Sequence, residues 1–193
     1  ISSSLASSSY YYKIRIEDYY DASIYDDSSY FTIEEAPSIT VTTPSSNGES
    51  YNDSVNKTIT WTHTGSTSYV RIKLYRANSS SGSYSYYDYI DSNEVNDGSY
   101  TWNISSSLAS SFYYYKIRIE DYNDASIYDD SYYFTIEEAP SITVTTPSSN
   151  GESYNDSVNK TITWTHTGST SYVRIKLYRA NSSSGSYSYY DYI

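Results

Sequence analysis

Residues 57–76 read KTITWTHTGSTSYVRIKLYR, and this stretch decides the fold class. Ile59 and Trp61 alternate with Thr58, Thr60 and Thr62. After the turn residues Thr64, Gly65, Ser66 and Thr67, Val70, Ile72 and Leu74 alternate with Arg71 and Lys73. Alternation at period two puts apolar side chains on one face and polar ones on the other, which is the pattern of a half-buried strand.

The same reading extends in both directions. Upstream, Ile39 and Val41 alternate with Thr40 and Thr42, and residues 44–48, PSSNG, have turn chemistry. Downstream, residues 84–90 form a tyrosine-rich strand whose facing is ambiguous, because Tyr occupies both parities. Asn96-Asp97-Gly98 is a strong turn signal, followed by 99–104 with Tyr100, Trp102 and Ile104 inward. Two more strands are predicted near 112–120 and 131–136. Seven short strands between turns predict an all-β, two-sheet sandwich over residues 38–136.

Everything outside that stretch is a partial copy of it. Residues 104–193 repeat residues 1–90 with a shift of 103, differing only at Ser9/Phe112, Tyr20/Asn123 and Ser29/Tyr132. A period of this length matches a whole sandwich and far exceeds a solenoid repeat, so each unit is long enough to bury its own core. Three parts follow: 1–36 as the C-terminal part of one repeat, 37–139 as a complete repeat, and 140–193 as the N-terminal part of the next. In the first part, Tyr12, Ile14 and Ile16 share one face of residues 10–18, and Phe31 and Ile33 point inward from 30–33. Residues 34–37, EEAP, form a short joint that Pro37 stiffens. The expectation is a window on a longer polymer, with half a core open to water at each partial unit.

Composition narrows the function classes. The chain holds 29 Tyr, three Phe and three Trp, with no Cys and a net charge of −11. Tyr and Thr favour strands. The lack of Cys excludes disulfides and thiol chemistry and is compatible with an extracellular location. The acidic balance argues against a nucleic-acid partner, which needs a basic footprint. No apolar run has the length of a membrane-spanning segment.

The order ITVTTP (39–44), NGES (47–50), TITWT (58–62), VRIKLYR (70–76), NDGSYTWNI (96–104), YYKIRIED (114–121) and SYYFTI (131–136) resembles a known family. It is similar to the Ser/Thr-rich Kre9/Knh1-like immunoglobulin-type domain, found in fungal cell-wall proteins and in tandem in microbial surface proteins. TITWT and NDGSYTW are the most specific pieces. Asn56-Lys57 departs from the family, which more often has a glycine-containing turn there; the departure adds a sugar acceptor. The resemblance implies tandem immunoglobulin-like β-sandwich domains of about seven strands each, at the cell surface or outside the cell, with no catalytic residues to carry over.

Chemistry-bearing residues point the same way. Seven asparagines stand in N-x-S/T triplets, the acceptor pattern for N-linked glycans: Asn52, Asn56, Asn78, Asn103, Asn155, Asn159 and Asn181. A chain this rich in Ser and Thr also produces such triplets by chance, but all seven fall in loops or on outward strand positions. Tyr11, Tyr87, Tyr89 and Tyr114 are candidates for stacking on sugars or on a neighbouring copy, and also for plain cross-strand pairing. Phe112 and Tyr132 mark where the copies differ, with Tyr132 at inward parity, and are candidate assembly positions.

Acidic residues (Asp124, Asp129 and Asp130 in one loop, Glu137 and Glu138 in a joint, Asp97) raise calcium as a weaker alternative. No D-x-[DN]-x-[DN]-G pattern supports it, and a solvated acidic face is the commoner cause. His63 and His166 occupy one repeat position, so no clustered metal or catalytic set is readable, and no cofactor beyond covalent glycans is expected. The expected protein is a non-enzymatic structural subunit of a glycosylated extracellular filament or surface stalk, whose partners are copies of itself and glycans. The alternative is a carbohydrate-binding or adhesin module using exposed tyrosines.

Overall fold

The computed structural model describes residues 2–65 and 67–193, so Ser66 of the predicted turn lies outside the described residues. The chain divides into two compact units, Ile1–Ile136 and Glu137–Ile193. In the first unit, the opening part carries β1 (Ser7–Tyr12), β2 (Arg15–Glu17), β3 (Tyr25–Asp27) and β4 (Phe31–Ile33). The central domain follows with β5 (Ser38–Thr43), β6 (Glu49–Asn52), β7 (Asn56–Thr64), β8 (Tyr69–Ala77), β9 (Ser85–Val95), β10 (Ser99–Asn103), β11 (Tyr114–Asp121), β12 (Tyr128–Asp130) and β13 (Phe134–Glu137). The second unit holds β14 (Ser141–Thr146), β15 (Thr163–Thr167), β16 (Lys176–Arg179) and β17 (Ser188–Tyr192).

Two sheets enclose the central core. The smaller has the order β10-β7-β5, and the larger runs β6-β13-β11-β8-β9 with β12 alongside β11. The antiparallel pair β8–β11 runs through the middle of the larger sheet, with Leu74 opposite Ile117 and Ile72 opposite Ile119. Those four side chains, with Val70 and Ile136, meet Ile39, Ile59, Trp61 and Trp102 of the smaller sheet. The inward residues of the period-two runs are thus the core. Tyr115 and Phe134 close one end as stacked rings 5.9 Å apart, and the Tyr115 hydroxyl donates to Leu108 O at 2.7 Å.

Two short strands were not legible as alternation. β6 and β12 raise the count from the expected seven to nine, because a three- or four-residue strand has too few positions to show a period. β12 also moves Asp129 and Asp130 out of the predicted loop: Asp130 lies opposite Arg118, and Asp129 Oδ2 accepts from Val41 N at 2.9 Å. Both carboxylates fasten strand to strand. Two other expectations are corrected here. β11 begins at Tyr114, leaving Phe112 in the preceding turn, and Tyr132 is 51% exposed before β13 rather than inward.

Turns are held by particular side chains. Asn96 is buried; its Oδ1 accepts from Trp61 Nε1 at 2.6 Å, and its Nδ2 donates to Thr67 O at 2.8 Å. The Asn-Asp-Gly turn therefore anchors the core tryptophan as well as reversing the chain. Glu49 closes the 44–48 turn, its Oε1 accepting from Ser45 N and Ser46 N while Tyr51 OH donates to Oε2 at 2.8 Å. Burial pushes the Glu49 carboxyl up, but the hydrogen bonds from Tyr51, Ser45 and Ser46 outweigh it and hold it below the usual range.

The 34–37 joint is docked on the domain that follows it. Thr64 Oγ1 donates to Ala36 O at 2.8 Å, and a Cβ on Gly65 (φ +68°) would lie 2.7 Å from Pro37 Cα. Only glycine tolerates both that φ and that approach. The second unit repeats the device, with Thr167 donating to Ala139 O at 2.7 Å and Gly168 against Pro140.

Copies of identical sequence outside the central domain behave differently. Residues 10–18 form one interrupted run, β1 and β2, where their twin is the single strand β11. Ile16 is 76% exposed and Ile119 fully buried; Trp164 is 36% exposed and Trp61 only 3%. The side chains are the same, so the difference is the opposing sheet.

That difference sets a prediction. Ile119→Ala should cost about 2–5 kcal/mol in chemical denaturation, whereas Ile16→Ala should stay within about 0.5 kcal/mol; equal losses would contradict the burial. Glu49, depressed in the fold, contributes stability above the usual carboxylate range that is lost as pH falls through its folded value. Glu49→Gln should therefore show a smaller drop in Tm than the parent between about pH 6 and pH 3, and parallel pH curves would remove that role.

Candidate glycan-bearing surface

All seven sequon asparagines are exposed. Asn52 ends β6 and Asn56 begins β7; between them the chain turns through Ser54, at φ +56°, whose N–H donates to Ile104 O at 2.8 Å. Asn78 follows β8 directly, and Asn103 ends β10. In the second unit Asn155, Asn159 and Asn181 lie outside strands.

Strand pairing brings two of these together. Asn103 stands opposite Asn56 in the β10–β7 ladder, and Asn103 Nδ2 donates to Asn56 Oδ1 at 2.9 Å. A glycan bonded to Nδ2 leaves one N–H on that nitrogen, so the hydrogen bond and the modification are compatible.

Asn103 also lines a cleft of about 400 Å³ between β9 and β10, together with Tyr87, Tyr89, Tyr100, Trp102 and Leu108. The volume lies in the range of small-molecule sites. Aromatic rings beside polar groups, Asp88 and Asn103 among them, present both faces that a sugar ring offers: apolar C–H and polar hydroxyl. Tyr100, read from the sequence as inward, is half-buried against the core and also lines this cleft. Its position three residues before an outward sequon on one short strand was the available signal. Burial, with nearby Asp91 and Glu94, pushes its hydroxyl up, keeping it a neutral donor.

Tyrosines, two of the cleft among them, also serve cations. Arg118 lies 3.8 Å from the Tyr128 ring centre and 4.7 Å from that of Tyr75, while its Nε and Nη2 donate to Asp130 at 2.7 and 2.9 Å. The hydrogen bond to Asp130 raises the Arg118 pKa against the opposing effect of burial. Lys73 donates to the buried Glu120 and faces Tyr89, and Arg71 lies over Tyr122 at 4.4 Å. Arg76 sits between Tyr87 and Tyr113, at 4.1 and 4.5 Å. Each contact is worth roughly 0.5–1 kcal/mol at such exposure. The outward Arg71, Lys73 and Arg118 of two adjacent strands were the signal for this lattice, but sequence alone did not say which ring each would meet.

The remaining candidates are scattered. Tyr11 packs edge-on to Tyr30 at 5.4 Å, and Tyr114 to Tyr133 at 5.8 Å, which is pairing within the chain. Phe112 and Tyr132 are exposed, as are Asn123 and the counterparts Ser9, Tyr20 and Ser29. The three substitutions therefore alter surface and not core. Among the described residues no group of three or more His, Cys, Asp or Glu side chains is placed to hold a metal ion. Four of the acidic positions raised for calcium are engaged within the chain: Asp124 accepts from Ser126, Asp130 from Arg118, Asp129 from Val41 and Asp97 from Ser99 N. Among the described residues no helix is long and apolar enough to cross a membrane.

Comparison with known proteins agrees with the fold. No curated protein and no solved structure matches the chain. A family model does match over residues 43–136, from the last residue of β5 through nearly all of β13, which covers the larger sheet, β7 and β10 of the smaller sheet, and the β9–β10 cleft. The central sandwich of this chain is a match to the family of Kre9/KNH-like N-terminal Ig-like domains.

Proposed function

We propose that the chain is a structural subunit of a glycosylated extracellular filament or cell-surface stalk, built from near-identical Ig-like domains in tandem. The family is associated with the cell wall, which supports a location outside the cell. The observation that carries the reading is the Asn56–Asn103 pair, two sequons set side by side on the exposed face of a sheet next to an aromatic cleft. The docked joints support it further, since Gly65 and Gly168 hold the joint residues against the domain that follows each.

In this reading the mechanism is mechanical and steric. Sandwiches with docked joints supply reach, while glycans and the charge of −11 supply hydration and keep neighbouring copies apart. The cation–tyrosine contacts brace the larger sheet's outer face from within the chain, and no catalytic or metal-dependent step is part of the role.

A second reading is favoured by the cleft alone: a binding module in which a free saccharide occupies the place proposed for the Asn103 glycan. The two separate in one pair of measurements. Intact-glycopeptide mass spectrometry of native material should find sugar on Asn56 and Asn103, together with Asn52 and Asn78. The chain made without glycans should show no more than weak saccharide binding by titration calorimetry. Unmodified asparagines in native material, with micromolar saccharide binding lost in Tyr100→Ala, would reverse the order of the two readings.

A further inference from the structure

β9 is an edge strand of the larger sheet, and its ladder with β8 shifts register between Leu74 and Tyr75. Leu74 stands opposite Asp88 and Tyr75 opposite Tyr86, so Tyr87 is the extra residue of a β-bulge. In a regular strand, residues three apart point to opposite faces. The bulge removes that separation. Tyr86 and Tyr89 stand opposite Tyr75 and Lys73, both outward positions of β8, and their rings lie 5.5 Å apart. Tyr75 completes the row, 6.0 Å from Tyr86. The second unit has the same arrangement, with Tyr189 opposite Tyr178 and 5.6 Å from Tyr192.

We propose that Tyr86 and Tyr89 are a site of oxidative phenol coupling, joined ring to ring by a one-electron oxidant of the peroxidase class working with hydrogen peroxide. Each phenol gives up one electron and its hydroxyl proton. The two phenoxyl radicals form one carbon–carbon bond between ring positions ortho to the oxygens. The two displaced ortho hydrogens move to the oxygens and restore both hydroxyls. Hydrogen peroxide takes the two electrons and two protons and becomes two waters. The product is the chain less two hydrogens for each coupled pair.

Composition and burial direct an oxidant to this row. The chain has 29 Tyr but no Cys and no Met, the side chains that ordinarily take up oxidants. Trp61 and Trp102 are buried in the core, whereas Tyr86 and Tyr89 are exposed. Exposed side chains change rotamer fast, so rings that already meet edge to face can bring their ortho carbons together. Tyr89 is the freer of the two neighbours of Tyr86. Tyr75 has the Arg118 guanidinium 4.7 Å from its ring centre, while Lys73 lies 5.5 Å from that of Tyr89 and donates to Glu120. The new bond spans the bulge. A bulge on an edge strand turns that edge away from pairing with another chain. A bridge across Tyr87 and Asp88 makes the distortion permanent in a protein without disulfides.

The site does not depend on the glycan reading, and the two stand or fall separately. Treating the dilute full chain, made without glycans, with a peroxidase and hydrogen peroxide tests it. Cleavage after Arg76 and before Asp88 and Asp91 puts the two rings in separate peptides, residues 77–87 and 88–90. These should appear joined, lighter than their sum by two hydrogens, with the blue fluorescence of dityrosine. The chain should stay a monomer on denaturing gels, and the yield per chain should not change on dilution, as an intramolecular step requires. Residues 180–190 and 191–193 give the same peptides, so the variant changes both units. Tyr86→Phe with Tyr189→Phe should lose the joined species while circular dichroism matches the parent. Absence of the joined peptides, coupling only between chains, or joined peptides undiminished in the variant overturns the site.

Discussion

The pairing of β8 with β11 is the contact on which the rest of the structure depends. It places Ile72 opposite Ile119 and Leu74 opposite Ile117 on the inner face, and Lys73 and Arg71 around Glu120 on the outer face. One ladder thus organises both sides of the larger sheet. Burying a large aliphatic side chain contributes about 1.5–3 kcal/mol, and four meet at this one pair of strands. The outer face adds many smaller terms, since cation–ring and ion-pair contacts each contribute far less in contact with water. The inner face therefore contributes most of the stability, while the outer face carries the surface chemistry.

The partial copies show this dependence directly. β1, β2 and β4 keep local features of their central twins, including the Tyr12–Leu5 hydrogen bond and the Arg15–Asp27 pair. The apolar face nevertheless stays open, and the strand breaks at Lys13–Ile14, where its twin runs through. Hairpins and turn bonds close over short sequence distances and need no second sheet. The core does need one.

The paired sequon asparagines and a set of aromatic residues share one edge of the sandwich for a reason rooted in topology. β9 and β10 are the free edges of the two sheets, so the space between them is the place where the inner layer opens to solvent. A sequon at the end of β10 is carried to that opening by the strand itself, and the ladder with β7 puts Asn56 beside it. Tyr87, by contrast, is already engaged by Arg76, which leaves it a partly occupied ring and not a bare platform. The close approach of Gly65, in the β7–β8 turn, to Pro37 is made by other parts of the chain.

Much of the fold was legible because period-two alternation is a property of neighbouring residues. Ile59, Trp61, Val70, Ile72, Leu74, Trp102 and Ile104 are all core, as their parity required. The exposure of the sequon asparagines followed from the same parity and from turn chemistry. Tertiary structure decided what depends on residues far apart in the chain. It made β6 and β12 strands, turned Asp129 and Asp130 from loop acids into strand fasteners, and gave Asn96 the indole of Trp61 to hold. It also decided that Tyr132 faces outward, that Asn103 meets Asn56, and which ring each cation covers. The sharpest contrast is Ile16 against Ile119: one residue type in one sequence context, open in one copy and sealed in the other. Sequence by itself determined which face of that strand is apolar; only an opposing sheet determined that the face is a core, because burial is a relation between two surfaces.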